Sequence, residues 1–375
     1  MRRRVTISDL AEAAGVSTAT VDRVLNGRST VRRATAIHVL EVAREMGFHA
    51  APLLEKRLTG ERENLTIGLV LLSTEPEFYH KFQAEAEAAA QAESGMRLRV
   101  LTEYAANSSP AATVAALERL APKVQAIGLV AVDHPRVSEA VSGLHARGIP
   151  VIALLSDLAQ GVRHAYLGVN NLKVGRVAAS MLARAIPKGA GGALALFVGG
   201  QLWHGHELRE TGFRSYIRRE RPDLVLLDTQ VNLDTDDLTY EAAIALMARH
   251  PGLRGIYCCG GGRNGVIRAI REERRQGAVD VIANELTETT RRALADGIVS
   301  LVIDTPVREI CEALFGLARV AVKERAGPGD VANMPAAGGP VSARTASGGP
   351  AMSGPATGGP GQVFLPMRLI LPESL

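Results

Sequence analysis

The stretch Val5-Thr6-Ile7-Ser8-Asp9-Leu10-Ala11-Glu12-Ala13-Ala14-Gly15-Val16-Ser17-Thr18-Ala19-Thr20-Val21-Asp22-Arg23-Val24-Leu25-Asn26-Gly27 reads as two short helices around a tight turn. Thr6 or Ser8 offers a capping hydroxyl for the first, which stops at Gly15, and Ser17 caps the second. A third helix is expected over 33–46, ending at Gly47. The spacing of Ala11, Gly15 and Val21 carries the packing logic of a helix-turn-helix. A small residue lets the helices approach, glycine tolerates φ > 0 in the turn, and a buried β-branched residue pins the second helix. With Val21, Val24 and Leu25 facing the core, Thr18, Ala19, Asp22 and Arg23 project from the opposite side, where a recognition helix meets base edges. Arg23 suits a bidentate contact to guanine, and the hydroxyls of Thr6, Ser17 and Thr20 suit phosphate oxygens.

A three-helix bundle without a nucleic-acid role would show the same spacing, so the charge map decides. The 375 residues carry 43 Lys+Arg and 39 Asp+Glu. Residues 1–60 hold ten of the bases and six of the acids, leaving 33 of each in the rest. All the excess positive charge therefore sits on the helical head, which favours DNA. A hydrophobic share of 46% excludes a mostly disordered chain, and the length suggests two or three domains. Three scattered cysteines exclude a disulfide scaffold and fit a reducing compartment. The arginine-rich start lacks the apolar stretch of an export signal, and no uninterrupted apolar run reaches the ~18 residues of a membrane span. A cytoplasmic protein with no membrane partner is expected.

From residue 65 to about 325, apolar runs alternate with amphipathic stretches. Strands are expected over 66–72, 97–101, 126–132, 150–154, 193–198, 224–228, 255–259, 279–283 and 300–303, and helices over 76–93, 110–120, 136–147, 172–185 and 235–249. The strands are continuous apolar runs, as parallel strands covered on both faces are. The series is too long for one small sheet and fits two α/β lobes with parallel sheets. Residues 326–361 hold ten Gly and six Pro, a composition too poor to offset its ordering entropy, and read as a disordered loop insertion. A strand is expected again over 363–371.

The run from Val5 to Gly27 closely resembles the headpiece of LacI-family transcriptional regulators. That resemblance implies a helix-turn-helix headpiece (1–50), a hinge helix and linker (51–63), and a periplasmic-sugar-binding-protein-like (type I) effector and dimerisation domain (64–375). It also adds Asn26 to the DNA-contacting positions. Asp22 stands where the family usually has serine; it is expected to accept from a cytosine amino group or to orient Arg23, so no operator sequence carries over. The family's hinge proline comes two residues after the aromatic that ends the third helix, whereas Phe48 is followed by His49-Ala50-Ala51 before Pro52. The hinge helix is therefore placed at 52–59, with Leu58 either a minor-groove wedge or an ordinary apolar linker residue.

In open parallel sheets ligands bind outside the carboxyl ends of the strands. Tyr79, His80, Asp133, His134, Trp203 and Arg209 fall there, as do Glu285 and Asp304. An aromatic face with charged groups able to grip hydroxyls is the chemistry of a carbohydrate site. The resemblance makes Arg209, Glu285 and Asp304 ligand-contacting positions and puts Cys258 where the family has asparagine. His204-Gly205-His206-Glu207 is a poor metal site, because alternate residues in a Gly-containing turn seldom converge on one ion. Gly260-Gly261-Gly262 lacks the Lys-Ser/Thr of a phosphate loop. Cys258-Cys259 reads as structural, and no catalytic constellation stands out. No metal or cofactor is expected. The expected partners are double-stranded operator DNA, a sugar or polyol effector, and a second copy of the chain. With no leucine heptads after 371, a dimer is expected rather than a coiled-coil tetramer. The rival reading is a sugar-binding sensor whose headpiece serves protein contacts.

Overall fold

The computed structural model describes residues 5–26, 31–52, 54, 64–325, 356–357 and 361–375. The chain forms a small amino-terminal unit and a larger one.

In the small unit, Thr6 caps helix α1 (Ile7–Ala13) through a reciprocal box. Its hydroxyl accepts from the Asp9 N–H, while the Asp9 carboxylate accepts from the Thr6 N–H at 2.8 Å. Gly15 takes φ +63°, which turns the chain into α2 (Thr18–Leu25). Ser17 caps α2 by accepting from the Thr20 N–H at 3.1 Å. Helix α3 (Arg33–Glu45) stops one residue short of expectation, with Met46 as its cap. Leu10, Ala11, Val21, Val24, Leu40 and Phe48 close a single core, which Leu54 joins. Ala51, Pro52 and Leu54 are helical, but 55–63, with Leu58 and most of the expected hinge helix, lies outside the described residues.

The larger unit has two lobes. Lobe 1 runs β1 (Asn64–Leu72), α4 (Pro76–Ala92), β2 (Arg97–Ala105), α5 (Pro110–Leu120), β3 (Ala126–Leu129), α6 (Pro135–Ala146), β4 (Val151–Leu154) and β5 (Ala165–Val169). Lobe 2 runs α7 (Asn171–Ala185), β6 (Ala193–Val198), α8 (His204–Glu220), β7 (Val225–Leu226), β8 (Gln230–Val231), α9 (Asp236–Arg249), β9 (Leu253–Cys258), α10 (Arg263–Glu272), β10 (Asp280–Asn284), α11 (Glu288–Ala295) and β11 (Leu301–Asp304). Helix α12 (Val307–Arg325) returns to pack on lobe 1, followed by β12 (Ala356–Thr357), β13 (Gln362–Leu365) and β14 (Arg368–Ile370).

The sheets are ordered β2-β1-β3-β4-β5-β13-β12 and β7-β6-β9-β10-β11-β14. In each, the first five strands carry the doubly wound order 2-1-3-4-5, whose switch point lies between β1 and β3 in lobe 1 and between β6 and β9 in lobe 2. The continuous apolar runs are the buried parallel strands: β3, β4, β5, β9 and β11 are buried at nearly every position.

Three expectations change. Strand β5 was not anticipated. The single strand expected over 363–371 is two, parted at Pro366, which has no N–H to give a ladder. β13 pairs in parallel with β5, and β14 pairs antiparallel with β11, so this segment passes from one lobe's sheet to the other's. Within the stretch read as disordered, Ala356–Thr357 pairs with β13, while 326–355 and 358–360 lie outside the described residues.

Candidate nucleic-acid interface and interlobe cleft

On α2, Val21 and Val24 are buried and Leu25 half-buried, while Thr18, Ala19, Asp22 and Arg23 are exposed. Several polar groups expected to meet DNA already have partners within the head. The Thr6 hydroxyl donates to Asp9 at 2.7 Å, and the Ser17 and Thr20 hydroxyls lie 2.8 Å apart. The Asn26 amide donates to Asp22 Oδ1 at 2.8 Å, so Asp22 is held by Asn26 one turn on. Of the side chains expected to meet bases, Thr18, Ala19 and Arg23 carry no such bond among the described residues.

In the larger unit the carboxyl ends of the two sheets meet. Glu75, following β1, takes two bonds from Arg263, which opens α10 after β9; the Nη1 bond is 2.7 Å. The Lys81 ammonium donates to the Leu286 carbonyl at 3.0 Å, and Ser156 accepts from the Gly205 N–H at 3.0 Å. Glu77 caps α11 by accepting from the Glu288 and Thr289 N–H groups.

Arg209 is buried (7% exposed), donating Nε to Asn171 at 2.7 Å and Nη1 to the Cys259 carbonyl. Its place follows from two glycines. A Cβ on Gly175 would lie 1.9 Å from the Arg209 carbonyl, and one on Gly212 would lie 2.2 Å from that of Leu172. Helices α7 and α8 thus cross backbone to backbone, which fixes where Arg209 emerges.

The glycine run after β9 makes room for charge. A Cβ on Gly260 would meet the His206 ring at 2.4 Å, and one on Gly261 would meet Glu75 Oε1 at 1.8 Å. Asp234 accepts from the Gly261 N–H at 2.8 Å. Leu233, Asp234 and Glu285 all adopt left-handed backbone, with φ of +52°, +56° and +70°, the strain that functional sites concentrate.

Burial governs the titration of this cluster. It pushes the Glu75 carboxyl up to about 7 against the pull of Arg263, with Asp234, Asp236 and Glu285 adding to the rise. Burial also lowers His206 to about 4, opposed by Asp234. His206 accepts the Gly199 N–H on Nδ1 at 3.1 Å, so it is neutral with its proton on Nε2. Glu285, gripped by the Thr305 hydroxyl at 2.8 Å, is raised by burial and by Asp304. Asp304 is also raised by burial, although it accepts from the Leu286 N–H at 2.8 Å.

Among the expected effector residues, Tyr79, Arg209, Glu285 and Asp304 are brought together here. Trp203 is buried at the start of α8 with its ring 5.8 Å from that of His206. Three others are placed differently. His80 is exposed and edge-on to Tyr104, because it follows Tyr79 by about 100° of helix. His134 caps α6, accepting from the Arg136 N–H at 3.1 Å. Asp133 is exposed and tied to the Ala159 N–H at 3.0 Å.

Four central residues were missed: Glu75, His206, Asp234 and Arg263. The glycine run was the available signal, since three consecutive glycines at a strand end mark backbone against which something packs closely. His204 turns to Glu207 at 3.4 Å while His206 takes the Gly199 N–H on Nδ1, so the two histidines do not converge. Among the described residues no three potential ligands form a metal cluster, and no helix is long and apolar enough to cross a membrane.

Residues 6–51 match the lacI family of bacterial regulatory proteins, and residues 67–325, more than half the chain, match the periplasmic binding protein domain. The head is 46% identical over 72 residues to the sucrose operon repressor of Klebsiella pneumoniae, a match spanning 18% of this chain and 21% of that protein. The HTH-type transcriptional regulator GntR of Pseudomonas aeruginosa is 25% identical over 260 residues, 68% of this chain and 71% of GntR. A sugar ABC transporter sugar-binding protein from Bacillus halodurans superposes with a TM-score of 0.65 at 19% identity, covering 82% of this chain and 98% of that one. A periplasmic solute binding protein from Actinobacillus succinogenes with bound D-allose gives 0.67 at 18%, covering 83% and 98%. At such identities these structures show the fold alone. With a helix-turn-helix head on a type I periplasmic-binding-protein-like body, the chain belongs to the lacI family of bacterial regulatory proteins.

Proposed function

We propose that the protein is a cytoplasmic, dimeric DNA-binding repressor without enzymatic activity, whose operator affinity is set by a polyhydroxylated effector held between the lobes. The observation that carries this is the capped α2, which turns Thr18, Ala19 and Arg23 outward from a buried Val21–Val24 face, in the same chain as Arg209, Tyr79 and Asp304 buried where the carboxyl ends of the two sheets meet. The sucrose operon repressor and the solute binding protein with bound D-allose, to which the chain is similar, support a sugar or polyol as effector. Two heads on a two-fold dimer would read a pseudo-palindrome with half-sites about one helical turn apart.

Ligand closing the lobes changes the affinity for DNA by a coupling of ~1–3 kcal/mol. Fluorescence anisotropy with DNA from the protein's own upstream region, over a salt series and with candidate sugars, tests this; binding indifferent to salt and to sequence would refute it. Arg23→Ala is expected to lose about 1–3 kcal/mol of operator discrimination while leaving effector binding unchanged. Competition with scrambled DNA reads that loss, and an unchanged preference would remove Arg23 from the base-reading set.

A further inference from the structure

The carboxylate of Glu75 lies on the Gly260–Gly262 run, its Oε1 where a Gly261 side chain would be, and its other oxygen takes both Arg263 terminal nitrogens. Lobe 2 thus presents a finished carboxylate cradle, filled by an acid from lobe 1. The fit is incomplete in one respect. Arg263 is only 5% exposed and its Nε has no acceptor. A guanidinium whose Nε and one terminal nitrogen grip the two oxygens of a carboxylate makes the stronger, forked pair.

We propose that Glu75 is an internal stand-in for an acidic group of the effector, and that the cleft takes a polyhydroxylated compound carrying a carboxylate, which replaces Glu75 on Arg263. This rests on the cleft being the effector site. A neutral sugar entering the same place would leave the buried guanidinium without a counter-charge, a costly exchange. Of the neighbouring acids, Asp234, Asp304 and Glu285 hydrogen-bond instead to Gly261, Leu286 and Thr305.

Displacement has a definite proton balance. Glu75 is faced by Arg263 on α10, Asp234 and Asp236 at the start of α9, Glu285 after β10, Cys258 on β9 and Tyr79 on α4. Only Arg263 favours the charged form, and burial with the acids already raises the carboxyl to about 7. Losing Arg263 raises it further, so Glu75 takes up a proton as the ligand's carboxylate arrives. Uptake is near zero below the free-state value and approaches one proton above it. Affinity therefore falls as pH rises past about 7.

Titration calorimetry of the full chain tests this with D-gluconate, D-galactonate, D-glucuronate and D-galacturonate beside D-glucose, D-galactose and sorbitol, in buffers of different ionisation heat. The expected result is an acid bound at least about tenfold more tightly than its neutral counterpart, with affinity falling about tenfold per pH unit above 7 and about one proton taken up at pH 8. Glu75→Gln keeps the preference and abolishes the uptake. Glu75→Gln with Arg263→Gln, which leaves no buried charge unpaired, loses the preference. A neutral sugar binding as tightly as its acid, or proton uptake persisting in Glu75→Gln, overturns the proposal and leaves the cleft reading standing. If no compound of either kind binds, the cleft reading falls and the proposal with it.

Discussion

Asp157→Ala is expected to destabilise the larger unit by about 3–5 kcal/mol, the cost of stranding a buried charge. Asp157 is 4% exposed and grips Arg163 with both oxygens, Oδ2 at 2.8 Å from Nη2, while the Arg163 side chain is 6% exposed. Asp157 also accepts from Gln362 at 3.0 Å, and Arg163 donates to the Gly361 carbonyl at 3.2 Å. The pair therefore anchors β13 to the edge of lobe 1 as well as satisfying itself. Removing the carboxylate leaves a buried guanidinium without its counter-charge and takes away the Gln362 contact to β13. Denaturant unfolding of Asp157→Ala and of Asp157→Ala with Arg163→Met separates the two effects. The double variant should recover most of the loss, because a buried pair replaced by apolar groups is often neutral. Equal destabilisation of single and double variants would show that the pair's charge is not what matters.

Gly175→Val is expected to cost about 1–3 kcal/mol and to displace Arg209 from the cleft. The contact it violates is backbone, the Arg209 carbonyl 1.9 Å from the new Cβ, which no rotamer change can relieve. Helix α8 must move away from α7, and Trp203 at its start moves with it. Because Trp203 is the only tryptophan and is buried, its emission reports on the start of α8 without a ligand. A red shift with lowered stability is expected, smaller for Gly175→Ala. An unchanged spectrum and denaturation midpoint would mean that the crossing is not close-packed in solution.

The head was legible because its signals are local: a hydroxyl three residues from an N–H, a glycine at a left-handed turn, a valine facing inward. The lobes were legible as buried apolar runs, apart from β5, the two-residue β8 and the break at Pro366. The cleft was legible only in part. Its missed members act across long stretches of sequence, Glu75 on Arg263 over 188 residues and Asp234 on Gly261 over 27. Asp234 also follows a two-residue strand that no periodicity marks. His80 and His134 were attractive by residue type, but the helix turns one outward and makes the other a cap. No pattern in the apolar positions records such choices.

The pairing of β13 with β5 also has a history in time. Strand β5 (Ala165–Val169) offers one parallel edge to partners at 362–365, made roughly 200 residues later, about 10–40 s at ~5–20 residues per second. Until then the growing lobe carries an open, apolar strand edge, the surface on which foreign strands template. A shorter delay applies to β11, whose antiparallel partner β14 follows roughly 65 residues later, about 3–13 s at the same rate. Neither sheet reaches its full width before residues 362–370 have been made, so both lobes keep an open edge until the last few residues of this stretch.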